Sequence, residues 1–273
     1  MNATTLVIGG KGKTGGRIVE RLTASGADVR IGSRSSAIPF DWADRSTWPA
    51  ALAGARRVYI SYYPDIIVPG ALDAIAALIE AARTAGVERL VLLSGRGEEA
   101  AQAAERLVQA SGLEWTIVRC AWFNQNFDEG YLLDPILAGE VVLPAGDMPE
   151  PFLDTDDIAD VAVAALAEDS HVGEVYELTG PRLMTFAETV AEISKATGRE
   201  IAYVPVSLDD YKAAMAAEDV PADIAWLIGS LFAELHKGRN AHLSDGVQRA
   251  LGREPKDFAD YARDAAARGV WDA

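Results

Sequence analysis

Two rhythms of apolar residues alternate along the first 120 positions. Short apolar runs recur at Leu6-Val7-Ile8, Asp28–Gly32, Arg57–Ser61, Leu90-Val91-Leu92-Leu93 and Trp115-Thr116-Ile117-Val118. Between them lie stretches of helical spacing. One carries Ile18, Val19 and Leu22 on one face. Another is the alanine-rich segment 70–85, with Ile75, Leu78 and Ile79 facing inward, and a third spans 99–110. A continuous apolar run suits a strand covered on both faces. Strands that alternate with helices build βαβ units. The pattern predicts an α/β protein, a doubly wound parallel sheet with helices on both faces. Gly86 is the expected C-cap of the helix over 70–85. Ser46 or Thr47 is the expected N-cap of a short helix ending at Leu52.

The alternation loosens after Val118. Trp122-Phe123-Asn124-Gln125-Asn126-Phe127 mixes aromatic rings with carboxamides. Asp154-Thr155-Asp156-Asp157 opens a helix to about 168, with its acids at the favourable N-terminus. Glu174–Leu178 reads as a strand. The remainder reads as mainly helical, over 185–197, 208–217, 222–237 and 256–268.

The first strand runs directly into Gly9-Gly10-Lys11-Gly12-Lys13-Thr14-Gly15, and a helical pattern follows at once. Strand, glycine loop and helix together seat a pyrophosphate. The glycines permit a tight turn and close backbone approach, and the helix start presents free N–H groups. A dinucleotide is the expected ligand. A cofactor without a 2′-phosphate meets a carboxylate at the end of the second strand, about 20 residues beyond the loop. Here that end reads Gly32-Ser33-Arg34-Ser35-Ser36. A carboxylate would repel a 2′-phosphate, whereas Arg34 and the serine hydroxyls would bind it. NADP(H) is therefore expected in preference to NAD(H). In a parallel sheet ligands bind at the C-terminal strand ends, which directs attention to Gly9, Ser33, Ser61-Tyr62-Tyr63, Ser94-Gly95 and Arg119–Trp122.

Composition narrows the classes. The chain has 273 residues and a formal net charge of −16, which argues against nucleic acid and against anionic membranes. Lys11, Lys13, Arg17, Arg30 and Arg34 are a basic exception near the glycine loop. No apolar run approaches the roughly 20 residues of a membrane span, and the N-terminus does not read as a secretion signal. A single cysteine, Cys120, permits no internal disulfide. One cysteine and three histidines make a metal site improbable. A cytoplasmic protein acting on a small molecule is expected, with a homodimer through the helix over 70–85 as one option.

These landmarks together resemble the NmrA-like, atypical extended short-chain dehydrogenases/reductases, and within them the festuclavine/agroclavine-dehydrogenase-type branch. The resemblance is carried by the glycine loop, Phe40-Asp41-Trp42 with Thr47-Trp48, Gly112–Thr116, Trp122–Phe127 and Phe152-Leu153-Asp154. Asp157-Ile158-Ala159, Tyr176–Pro181, Gly238–Ala241 and Leu251–Pro255 add to it. It implies a Rossmann-type NAD(P)-binding domain over residues 1–180, with 121–140 contributing to the substrate side, and a smaller, mainly helical substrate-side region over 181–273. It also implies the glycine loop (Gly9, Lys11, Gly12, Lys13, Thr14, Gly15) on the pyrophosphate, Ser33 and Arg34 by the adenosine ribose, and Asp41 and Trp42 by the adenine. Ser61, Tyr62, Tyr63, Ser94 and Gly95 would lie near the nicotinamide half. Cys120 stands where family members often have proline.

Short-chain dehydrogenases usually carry Tyr-x-x-x-Lys, and none of the eight tyrosines here has lysine four positions on. Two readings follow. In the first, the chain is an oxidoreductase that transfers hydride from NADPH to a small cyclic or aromatic acceptor: an iminium, an activated C=C or a quinone. Tyr62 and Tyr63 are then the candidate acids, and Ser94 orients cofactor or substrate or caps a helix. Trp122, Phe123, Asn124 and Phe127 would line the substrate pocket, with core packing the alternative for Trp122 and Phe123. In the second, the chain is a non-catalytic NADP(H)-binding sensor that regulates a partner.

Overall fold

The computed structural model describes residues 4–272. In chain order the first elements are β1 (Thr4–Ile8), α1 (Lys13–Ala24), β2 (Val29–Gly32), α2 (Trp48–Leu52), β3 (Ala55–Ile60) and α3 (Ala71–Ala85). There follow β4 (Arg89–Gly95), α4 (Glu99–Gln109), β5 (Glu114–Cys120), α5 (Leu133–Ala138), β6 (Glu140–Leu143), α6 (Thr155–Ala167) and β7 (Glu174–Leu178). The last are α7 (Phe186–Thr197), β8 (Ala202–Pro205), α8 (Leu208–Ala217), α9 (Ala222–Leu235), α10 (Gly246–Leu251) and α11 (Phe258–Ala267).

The chain divides into two compact units. The first takes the residues up to Cys120, then Thr155–Leu178 and Asp245–Arg253. The second takes Ala121–Asp154, Thr179–Ser244 and Glu254 onward. The expected arrangement is a domain over 1–180 with 121–140 on the substrate side; the division found is further interleaved. Strand β7 completes the first unit's sheet beside β5, so the segment before it, 121–154, leaves that unit and the chain returns to it. Helix α10 returns once more to pack on β7 and α6.

In the first unit six parallel strands form one sheet in the order β2-β1-β3-β4-β5-β7. This is the expected doubly wound Rossmann-type architecture. The order reverses at β1, which pairs β2 on one side and β3 on the other. That is the topological switch point where such sheets bind ligands. Leu6, Ile8, Val58, Ile60, Leu90 and Leu92 fill one core with Ile75, Leu78 and Ile79 of α3. Helix α3 ends as expected, at Gly86 in the left-handed region. Thr47 stands at the N-cap position of α2, as one of the two expected residues, but its side chain makes no capping hydrogen bond. Asp44 caps the 3-10 turn Arg45–Thr47 just before it, its side chain accepting from the Ser46 N–H at 3.0 Å.

The second unit is less helical than the sequence suggests. β6 and β8 pair in parallel, Val141 opposite Tyr203, and α5 precedes them. Its core is aromatic: Phe127, Phe152, Phe186, Phe232 and Phe258 with Trp271. Thr185 caps α7 through a full capping box with Glu188.

Candidate cofactor and active site

The glycine loop is built around two close approaches. Gly9 turns the chain out of β1 at φ +75°, a conformation an L side chain resists. Gly15 lies so near the loop that a Cβ on it would stand 2.2 Å from the Gly9 carbonyl oxygen. Helix α1 therefore begins against the end of β1. Its N-cap, Gly12, supplies no side-chain hydrogen bond, and its first turn holds no acid. The N–H groups at its start face outward with the positive end of the helix dipole. Ion pairs fasten α1 to α6, Arg17 with Asp156 at 3.3 Å and Arg21 with Asp160 at 2.6 Å. The loop thus rests on a braced helix. Thr14 is turned inward: it is buried and its hydroxyl accepts from the Tyr59 phenol at 3.0 Å. Its backbone, not its side chain, is what the loop offers a phosphate.

Beside the loop, the segment after β2 folds back on it. Lys11 Nζ donates to Ser35 Oγ at 2.8 Å and to the Ser35 carbonyl at 3.2 Å. Ser33 and Ser36 share a hydroxyl hydrogen bond of 2.8 Å. Arg34 is exposed, and its guanidinium lies 5.8 Å from the centre of the Tyr63 ring. Hydroxyls and two cations thus gather where β2 ends without a carboxylate. Asp41 and Trp42 follow. Asp41 Oδ1 accepts from the Ala43 N–H. Trp42 donates from Nε1 to the Ser61 carbonyl at 3.1 Å and joins Phe40, Trp48 and Tyr62 in an aromatic cluster. Ser61 in turn packs against Gly9, where a Cβ would meet its own Cβ at 3.2 Å.

Both candidate acids are drawn to this segment. Tyr62 packs on Trp42 with ring centres 4.6 Å apart, and burial raises its phenol pKa. Tyr63 is 70% exposed and lies against Arg34. The rings of both tyrosines therefore meet residues expected at the adenosine end. Ser94 is buried, and its hydroxyl donates to Glu105 of α4 at 2.6 Å. Tyr62, Tyr63 and Ser94 share no hydrogen bond with one another among the described residues. The expected role of Ser94 as a group presented to substrate is corrected on this point, because its proton is committed inside the fold.

That commitment belongs to a network the sequence did not reveal. Arg119 of β5 grips Glu105 with two nitrogens and reaches Glu177 of β7 at 3.1 Å. Arg96 meets the other oxygen of Glu177 at 2.9 Å. Ser94, Glu105, Arg119, Glu177 and Arg96 so tie together the C-terminal ends of β4, β5 and β7. At Gly95 a Cβ would stand 2.1 Å from a Glu98 carboxylate oxygen, so the carboxylate lies directly on the strand end. Cys120 is buried and burial raises its thiol pKa. It is a packing residue.

The expected pocket residues divide. Trp122 is half-buried, edge-on to Phe186 at 5.2 Å and beside Phe232 at 5.4 Å. Phe123 is half-buried and bridges to Leu153. Phe127 is corrected to a core residue: it is wholly buried among Phe152, Phe186 and Phe258. Asn124 is also fully buried, and its carboxamide makes no hydrogen bond to another described residue. No group of three or more potential metal ligands occurs among the described residues.

This geometry agrees with what the chain is similar to. Residues 9–169 match the NAD(P)H-binding family. The chain belongs to that family, in its NmrA-like group of atypical short-chain dehydrogenases/reductases. It is 32% identical to the NAD(P)H azoreductase of Xenophilus azovorans, over 96% of this chain and 98% of that one. It is 30% identical to the agroclavine dehydrogenase of Claviceps fusiformis, over 98% of each. Among solved structures, the triphenylmethane reductase of Citrobacter sp. in complex with NADP(H) superposes with a TM-score of 0.81 at 21% identity, covering 96% of this chain and 99% of that one. The chain is thus a member of a family of NAD(P)H-dependent reductases and dehydrogenases. The residues fit such a cofactor: the uncapped start of α1, the close packing of that start on the loop at Gly15 and the cations beside Gly32 are features a dinucleotide uses.

Proposed function

We propose that this chain is an NADPH-preferring reductase of a small cyclic or aromatic acceptor: an iminium, an activated C=C or a quinone. The observation that carries the chemistry is the Glu105 network. On α4, where Tyr-x-x-x-Lys would sit, the chain carries Glu105 and commits it to Ser94 and Arg119. No strong acid is offered from that helix. When bound, the cofactor supplies a hydride. An iminium accepts it without a proton, because its nitrogen only loses positive charge. A quinone or activated C=C also needs a proton. Solvent water is the donor we assign, since the Tyr62 ring is packed on Trp42 in the segment expected at the adenosine end. Catalysis then rests on holding the acceptor against the cofactor. The names of the azoreductase and clavine dehydrogenase relatives support an extended or cyclic acceptor. A net charge of −16 favours a cationic one.

The preference for NADPH rests on Ser33, Arg34, Ser35 and Lys11 around the carboxylate-free end of β2. The test is NADPH and NADH oxidation by the purified protein with a cyclic iminium, a quinone and an enone. Turnover with at least one of them, faster with NADPH, is expected. Tight NADPH binding with no turnover by any would overturn the reading and favour a redox sensor.

A further inference from the structure

Tyr63 is exposed, follows the end of β3 and has its ring under the guanidinium of Arg34. We propose that Tyr63 is a positioning residue for cofactor selectivity. Its ring holds Arg34 so that the guanidinium fork meets the cofactor's 2′-phosphate. The inference rests on the NADPH reading above and names how that selectivity is maintained.

Three observations carry it. Arg34 makes no ion pair among the described residues, so no carboxylate competes for its fork. An exposed arginine on a loop samples many rotamers, and immobilising it on binding has an entropic cost. A ring face attracts the cation while leaving its in-plane N–H donors free, and these donors form the bidentate contact with phosphate oxygens. The guanidinium–centroid distance of 5.8 Å is within the range of this attraction. Lys11 is held separately by Ser35, so the two cations reach the site from different anchors. Tyr63 thereby leaves the list of proton donors: its ring is used, and its hydroxyl is not.

The experiment reads the adenosine end alone, through calorimetric affinities for 2′,5′-ADP and 5′-AMP in the full-length protein. Wild type is expected to bind 2′,5′-ADP more tightly than 5′-AMP, and Arg34→Gln to abolish the difference. Tyr63→Leu should weaken 2′,5′-ADP about two- to fivefold, the size of an exposed cation–π contact, and leave 5′-AMP unchanged. Tyr63→Phe, which keeps the ring, should match wild type. In the Arg34→Gln background Tyr63→Leu should have no further effect. The inference is overturned if Tyr63→Leu binds 2′,5′-ADP like wild type, if it weakens both probes equally, or if its effect persists without Arg34. Wild type binding both probes equally would overturn the NADPH reading itself, and this inference with it.

Discussion

Glu177 stands between two guanidinium groups, and that position makes its charge a stability term. Burial pushes its carboxyl pKa up. The charges of Arg96 and Arg119, with the hydrogen bonds they donate, outweigh burial and hold it below the ordinary 4.5. A carboxyl lowered on folding contributes stability above its unfolded value, and the contribution is lost as pH falls through the folded value. Glu177→Gln should therefore destabilise the protein at pH 7 by about 1–3 kcal/mol, a partly buried pair being worth more than an exposed one. In urea titrations the gap from wild type should close as pH drops below 4.5. A gap constant from pH 7 to pH 3 would contradict this. None of this network was legible in the sequence, because Ser94, Glu105, Arg119 and Glu177 are joined only when three strand ends align. Phe127 misled for a related reason: an aromatic residue in a mixed loop carries no local sign of whether it faces a pocket or the core.

Helix α1 shows what was legible. The glycine spacing, the run before it and the face after it are local signals, and the structure returns them as strand, loop and helix. Neighbouring glycines on this helix should behave oppositely. Gly15→Ala would drive a Cβ to 2.2 Å from the Gly9 carbonyl, forcing helix and loop apart. It should weaken NADPH binding by about tenfold or more, as misplaced donors do. Gly16→Ala meets nothing nearer than the Gly10 carbonyl at 4.0 Å. It should raise stability by about 0.5–1 kcal/mol, the ordinary gain for alanine inside a helix. Thermal melts and cofactor titrations of the two variants check both signs. Loss of binding by neither would contradict the packing role of Gly15. The elements that escaped the sequence reading are the short ones. β6 and β8 have four residues each and α5 and α10 six, too few for a period to declare itself.

At the scale of the whole molecule, the alternation of strands and helices made the first unit readable up to Cys120. The resemblance put 155–178 in the same domain and 121–140 on the substrate side, whereas the return of 245–253 to the first unit was not legible. A strand such as β7 announces itself by composition, but not which sheet it joins. The family and its cofactor class follow from the first unit, whereas the chemistry depends on what the chain does with a bound nicotinamide when Tyr-x-x-x-Lys is absent. That claim is tested most directly by following the hydride. With NADPH deuterated at both C4 positions, single turnovers with a cyclic iminium and with an enone should place one deuterium on the reduced carbon, the iminium without need of a proton donor. Bound NADPH that leaves no deuterium in either product would contradict the account of this chain as a reductase.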